Sequence, residues 1–163
     1  MLFRSAVYEK LRAEYTLGRL TVQLQDNYVL QSSDNSHKHS PKGTLKFESG
    51  SWKGTLCVGC VVVMRPDETL SGVAAAATLA KSFLGGRMSL TASLAYYDAG
   101  QYDARVYIYE GDLPGSFSLQ YYYGKGIAAR GLVRAKAGRR LTLSAVAVAA
   151  KVPEARVQAD INF

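Results

Sequence analysis

Long hydrophobic runs are missing from this chain of 163 residues. The longest, "CVGCVVVM" and "AVAVAA", fall far short of the ~18 or more apolar residues that a membrane helix requires. The N-terminus "MLFRSAVYEKLRAEY" lacks the charged-then-apolar pattern and small-residue cleavage site of a secretory signal. The chain therefore reads either as cytoplasmic or as a piece of something longer. Cysteine is nearly absent as well. Cys57 and Cys60 share one strand-like stretch, with neither the turn a redox pair needs nor the second ligand pair a zinc site needs. They read as two small strand residues on opposite faces. Also missing are a helical Lys/Arg run and the aromatic motif of a known nucleic-acid module, which argues against direct nucleic-acid binding.

Catalytic signatures are missing too. No G-x-S-x-G and no paired-histidine helix is present. A serine hydrolase needs a histidine partner. Both histidines, His37 and His39, sit in the stretch "NSHKHSP", which reads as a polar loop rather than a metal site. No enzyme, cofactor or metal is expected.

What is present is alternation. The chain is 48% apolar and 20% charged, with eleven tyrosines and a formal charge of +7. Such a charge suits nucleic acid, an anionic lipid surface or an internal basic lining. Nearly every segment repeats with the period of two that marks a strand. In 51–64, Trp52, Leu56, Val58, Cys60, Val62 and Met64 fall on one side, with Lys53 and Thr55 opposite. In 87–97, Met88, Leu90, Leu94 and Tyr96 oppose Ser89, Thr91 and Ser93. Strands are expected at 4–17, 19–31, 43–49, 51–64, 70–84, 87–97, 102–110, 115–123, 126–136, 140–150 and 154–163. Turn signals such as "SGS", "GGR" and "AGR" separate them. The alanine-rich stretch "SGVAAAATLAKSFLGG" has a helical alternative, and the strand assignment is preferred because its neighbours are strands of matching length.

This pattern suits either a sandwich or barrel with an apolar core, or an inside-out barrel with its apolar face to lipid. Three features favour the second. The expected strands are long enough to cross a bilayer. Aromatic residues gather near strand ends (Tyr15, Trp52, Phe83, Tyr96, Tyr123, Phe163). Short turns ("GR", "SGS", "GGR", "AGR") alternate with longer polar loops ("SSDNSHKHSPK", "RPDET", "KVP"), and "EGDLPGS" breaks the rule. The expected fold is therefore all-β, an antiparallel up-and-down meander over one region, 1–163. It would form a transmembrane-type β-barrel of about 10–12 strands, complete or incomplete. The strand count is odd, so 4–17 and 154–163 would run the same way and could not close as antiparallel neighbours. A fragment of a longer protein is expected. Asp26 and Lys81 resist, because both stand in the apolar phase of their strands.

The charges Arg12, Glu14, Arg105, Arg130, Arg134 and Arg156 share the polar phase and are expected to face the lumen. They read first as a structural network of ion pairs and second as an anion-attracting lining. The end of the chain, "VQADINF", places Val157, Ala159, Ile161 and Phe163 on one apolar face. It reads as an assembly signal captured by strand addition, with membrane lipid and the outer-membrane insertion machinery as partners. The competing reading is a soluble barrel or sandwich that binds a small apolar ligand inside. A third is an open-sheet interaction module.

From Tyr97 to Glu110 the chain runs "YDAGQYDARVYIYE", from Phe117 to Gly126 "FSLQYYYGKG", and from Gln158 to Phe163 "QADINF". These stretches resemble the C-terminal region of the Bacteroidetes helix-hairpin-helix domain-containing proteins. Their pattern is F-D-tiny-polar-Y-D-x-R-I-Y-x-Y-E, then F-S-x-x-x-Y-Y-G-K-G and a final Q-L-x-x-x-F. The resemblance covers about 95 to 163 and implies an outer-membrane β-barrel-like tail behind DNA-binding helical hairpins. This chain contains no such hairpins, so no DNA-binding residue carries over.

Overall fold

Alternating side chains commit nearly the whole chain to strands. The computed structural model describes residues 6–31, 35–108, 113, 121–138 and 140–161. Strands follow in the order β1 (Ala6–Leu17), β2 (Leu20–Gln31), β3 (Ser36–His39), β4 (Lys42–Ser49), β5 (Trp52–Met64), β6 (Thr69–Phe83) and β7 (Met88–Ala99). After them come β8 (Val106–Tyr107), β9 (Tyr121–Tyr122), β10 (Gly124–Ala137), β11 (Leu141–Ala149) and β12 (Glu154–Ile161). The alanine-rich stretch is strand β6, as the sequence suggests. No α-helix occurs among the described residues.

Ten strands form one antiparallel sheet, in the order β1-β2-β3-β5-β6-β7-β10-β11-β12, with β4 sharing the position of β3 between β2 and β5. The first and last positions, β1 and β12, share no ladder among the described residues. An odd number of antiparallel positions makes these two edges run the same way, as the sequence implied. The all-β antiparallel meander is observed. Among the described residues β1 and β12 are the two edges of the sheet.

Three sequence expectations change. The described parts of 102–110 and 115–123 do not join the sheet. They form only the two-residue strands β8 and β9, which pair with each other, while β10 pairs directly with β7 from Gly124↔Ala99 to Ala135↔Met88. The aromatic alternation of that stretch mimics a strand, but its described side chains Val106, Ile108 and Tyr122 pack onto the sheet instead of extending it. Apart from Leu113, the "EGDLPGS" turn lies outside the described residues. Lastly, "SHKH" is not loop. It is β3, paired with both β2 and β5, and Ser40–Pro41 interrupts the strand before β4.

All short turns fall at one end of the sheet, between β1 and β2, β4 and β5, β6 and β7, and β10 and β11. Gly18, Gly50 and Gly138 there take positive φ, of 59°, 57° and 76°, which closes a hairpin at no Cβ cost. The longer connections gather at the other end.

Among the described residues, one face of the sheet is covered and the other is bare. Against the covered face, at the long-connection end, sit Ala104, Val106, Ile108 and Tyr122. They pack on Cys57, Val61, Leu70, Ala74, Ala76, Ala95, Tyr97 and Ala128. Glycines make room for this segment. A Cβ on Gly72 would collide with the Ala104 carbonyl oxygen, and one on Gly59 would lie 3.3 Å from Val106 Cγ1. Tyr97 lies over Gly126 and stacks on Tyr122 at 4.8 Å. Arg65 clamps the segment from outside the sheet through Asp103 and Glu68, at 2.5 and 2.8 Å, and Lys38 Nζ donates to the Asp103 carbonyl at 3.2 Å.

Candidate functional site: the two faces of the sheet

Cross-strand registers fix which side chains share a face. One row joins Leu24, Gly43, Val58, Ala75, Tyr96 and Ile127, and all of them lie on the bare face. Its large apolar residues are exposed. Leu94 is 56% accessible, Leu79 51% and Val157 81%. Leu90 is also exposed, so neither it nor Val157 lies in an enclosed core; Leu119 is outside the described residues. A contiguous apolar surface of this extent is unusual for a protein face bathed in water.

Aromatic residues bracket that surface. Tyr15, Phe47, Trp52 and Phe83 stand toward the short-turn end, and Tyr28, Tyr96 and Tyr123 toward the other. From Met88 to Tyr96 on β7 is roughly 27 Å along the strand, or about 20 Å in height if the strand is tilted by ~40°. Lys81 no longer resists. Its Nζ lies 4.5 Å from the Trp52 ring centroid and 5.0 Å from that of Phe83, so the charge rests in the aromatic band. Asp26 lies one pleat beyond Leu24, toward the long connections. The matching step beyond Tyr96 is Asp98, paired with Lys125 at 3.0 Å. His39 Nδ1 approaches Asp26 at 3.8 Å, and Tyr28 shares a 2.7 Å hydrogen bond with His37. These groups make a polar rim above the apolar band. No group of three or more metal-binding side chains occurs among the described residues.

Cys57 and Cys60 do fall on opposite faces, Cys57 in the covered core opposite Ala76 and Cys60 opposite Val73 on the bare face; both are free thiols.

The covered face has two parts. Its long-connection end is the apolar cluster under Ile108. Its remainder is polar, and there the charges expected from the sequence appear. Arg12 and Glu14 lie on the β1 edge, where Arg12 pairs with Glu14 at 2.8 Å and Gln23 donates to the same carboxylate at 2.7 Å. Lys53 pairs with Glu48 at 3.1 Å. Near the opposite edge, Arg130, Arg134 and Arg156 gather with Ser93, Ser144, Gln158 and Asp160. The register sets Arg130 opposite Ser93, Arg134 opposite Ser144, and Ser144 opposite Gln158. Arg156 takes Glu154 at 2.8 Å, and Gln158 donates to Asp160 at 2.6 Å. Arg105 belongs to neither group. It sits in the connection, stacked 4.1 Å from the Tyr102 centroid, with Nε donating to the Tyr107 hydroxyl at 2.6 Å. That hydrogen bond, above all, strengthens its hold on its proton.

The assembly-signal residues Val157, Ala159 and Ile161 share the bare face of β12, and Phe163 lies outside the described residues. Sequence reading missed Gly59, Gly72 and Gly126. A glycine inside a strand signals close approach of another backbone or ring; Gly59 and Gly72 mark where the connection docks, and Gly126 makes room for the Tyr97 ring that stacks on Tyr122. Compared with models of known families, with curated proteins and with solved structures, the chain matches none.

Proposed function

We propose that this chain is a non-enzymatic segment of an outer-membrane β-barrel that serves membrane anchoring or passage, with lipid against its bare face. The observation that carries this is the exposure of Leu56, Leu79, Leu94, Ile127 and Val157 on one continuous face, while the other holds the arginines, serines and the docked connection. In lipid the first set is at home, and an arginine there would cost about 2–4 kcal/mol. Free edges are costly in hydrocarbon, since unpaired backbone groups find no water. Further pairing along β1 and β12 therefore belongs to this reading. The terminal Val157, Ala159, Ile161 and Phe163 would serve the insertion machinery, and the resemblance to the C-terminal region of the Bacteroidetes proteins points to the same compartment. A soluble fold holding an apolar ligand inside has less support, because the covered face is filled by Ile108 and Tyr122 at one end and charged at the other.

Trp52 is the single tryptophan, so the reading has a built-in probe. The chain refolded into vesicles of lipids brominated near the headgroup should show quenched Trp52 emission. Moving the probe by W52F with Leu94→Trp should shift maximal quenching to lipids brominated deep in the chain. Emission indifferent to bromine at either depth, from folded protein, would defeat the proposal.

A further inference from the structure

We infer that the covered face of β10, β11 and β12 carries a binding site for a single oxyanion of the phosphate class, formed by Arg134 and Ser144. The starting point is an imbalance. Arg134 is half-buried on the covered-face phase of β10, yet among the described residues it makes no hydrogen bond or ion pair, and its Nε is out of contact with solvent. Directly across the ladder, Ser144 is 1% exposed and its Oγ has no partner. Across the other ladder Arg134 meets Ser89; Ser93, opposite Arg130 on the same face, is 7% exposed and its Oγ has no hydrogen-bond partner among the described residues.

A guanidinium removed from water without an anion is strongly unfavourable, and each orphaned hydroxyl adds to the deficit. Neighbouring arginines deepen it. Arg130, opposite Ser93, is buried, and Arg156 lies one strand beyond Ser144, already engaged by Glu154. Guanidinium N–H groups and hydroxyls are the donors a tetrahedral oxyanion accepts from, and charge-assisted bonds of this kind are the strong ones. Ionised carboxylates only accept, and the nearby acids are committed otherwise. Glu154 is on Arg156, and Asp160 accepts from Gln158 through Oδ1 while its Oδ2 is buried without a partner. Asp160 repels an anion, which sets a direction for its substitution.

The site does not rest on the membrane reading, because it lies on the face away from the exposed leucines; Trp52 quenching and anion binding can each fail alone. The test is a titration of inorganic phosphate, followed by 31P line broadening, on the full chain folded in detergent micelles, with chloride matching the ionic strength. Saturable broadening is expected. Arg134→Gln and Ser144→Ala should each weaken it about tenfold or more, Arg134→Lys should restore part of it, and Asp160→Asn should tighten it. Arg105→Gln, in the connection, should leave it unchanged. Circular dichroism identifies any variant that fails to fold, and Ser144→Thr, which keeps the hydroxyl, then serves in its place with binding retained. No saturable broadening from the folded chain would overturn the site. So would equal loss on Arg134→Gln and Asp160→Asn, which would mark a water-bridged ion pair instead. In micelles doped with a phosphomonoester lipid, broadening confined to the lipid resonance would overturn it too, by assigning the phosphate to the membrane.

Discussion

Strands β1 and β6 are written in the same alternating code and meet opposite fates. Along β6 every second residue from Leu70 to Ala76 is buried, because Ala104, Val106 and Ile108 lie on that side and β5 and β7 flank it. Along β1 every residue but Ala6 is exposed, because among the described residues the strand has one neighbour and nothing covers either face. Alternation therefore states which side chains share a face. Whether that face is covered depends on a segment that comes later in the chain.

The contrast can be broken most forcefully at Gly72. Gly72→Val places side-chain atoms where the Ala104 carbonyl stands, and because the obstacle is backbone it should cost about 4 kcal/mol, above the usual range for overpacking. A thermal melt in micelles reads it, and a fall of under a degree would mean that the connection is not docked there. Ile108→Ala comes next. A fully buried side chain under the connection should cost about 3 kcal/mol through lost burial and the cavity left behind.

Smaller, and dependent on pH, is the clamp at Asp103. The hydrogen bond from Arg65 holds its carboxyl below the usual aspartate value. A carboxylate depressed in the folded state adds stability above its unfolded pKa, about 3.9, and loses that contribution as pH falls through the lower folded value. Melting temperature should thus drop more steeply below about pH 4 in the native chain than in Asp103→Asn; parallel acid limbs would show the clamp to be idle. The smallest effect belongs to β1. Leu11→Ala, exposed on the edge strand, should shift the melt in micelles by no more than about 0.5 kcal/mol. A loss comparable to that at Ile108 would reveal a cover over β1 and erase the difference between the strands.

The ladders among β1, β2, β4, β5, β6 and β7 were legible because each of these strands pairs with the next long strand in sequence, through tight turns at one end and longer connections at the other. The direct pairing of β7 with β10 was not. "YDARVYIY" and "SLQYYY" carry strand chemistry as convincing as any other, and nothing in the alternation says that Val106, Ile108 and Tyr122 lie over the sheet instead of joining it. The mid-strand glycines Gly59, Gly72 and Gly126 held that information. Arg12, Glu14, Arg130, Arg134 and Arg156 share one face by register, since phase is a local property. Arg105 does not, because the strand along which its phase was counted ends at Tyr107. That Arg134 and Ser144 would face each other followed from ladder pairing of hairpin β10–β11, yet their lack of partners depends on every neighbour at once.

The long connection between β7 and β10 also has a temporal meaning. Adjacent strands joined by two-residue turns can zip together with little loss of chain entropy. Bringing Gly124 to Ala99 requires closing everything from 100 to 123, roughly 2 kcal/mol more by the logarithmic dependence on loop length. The meander β1–β7 and the short meander β10–β12 should therefore assemble as separate units and join late, when the aromatic connection settles between them. Truncations at that seam, such as Ile127→Ala, should speed unfolding and leave the folding rate nearly untouched. Slowed folding instead would place the seam in the nucleus. A chain caught before that step would present the same apolar face with its halves unjoined, and its productive lifetime would be set by how fast one connection closes.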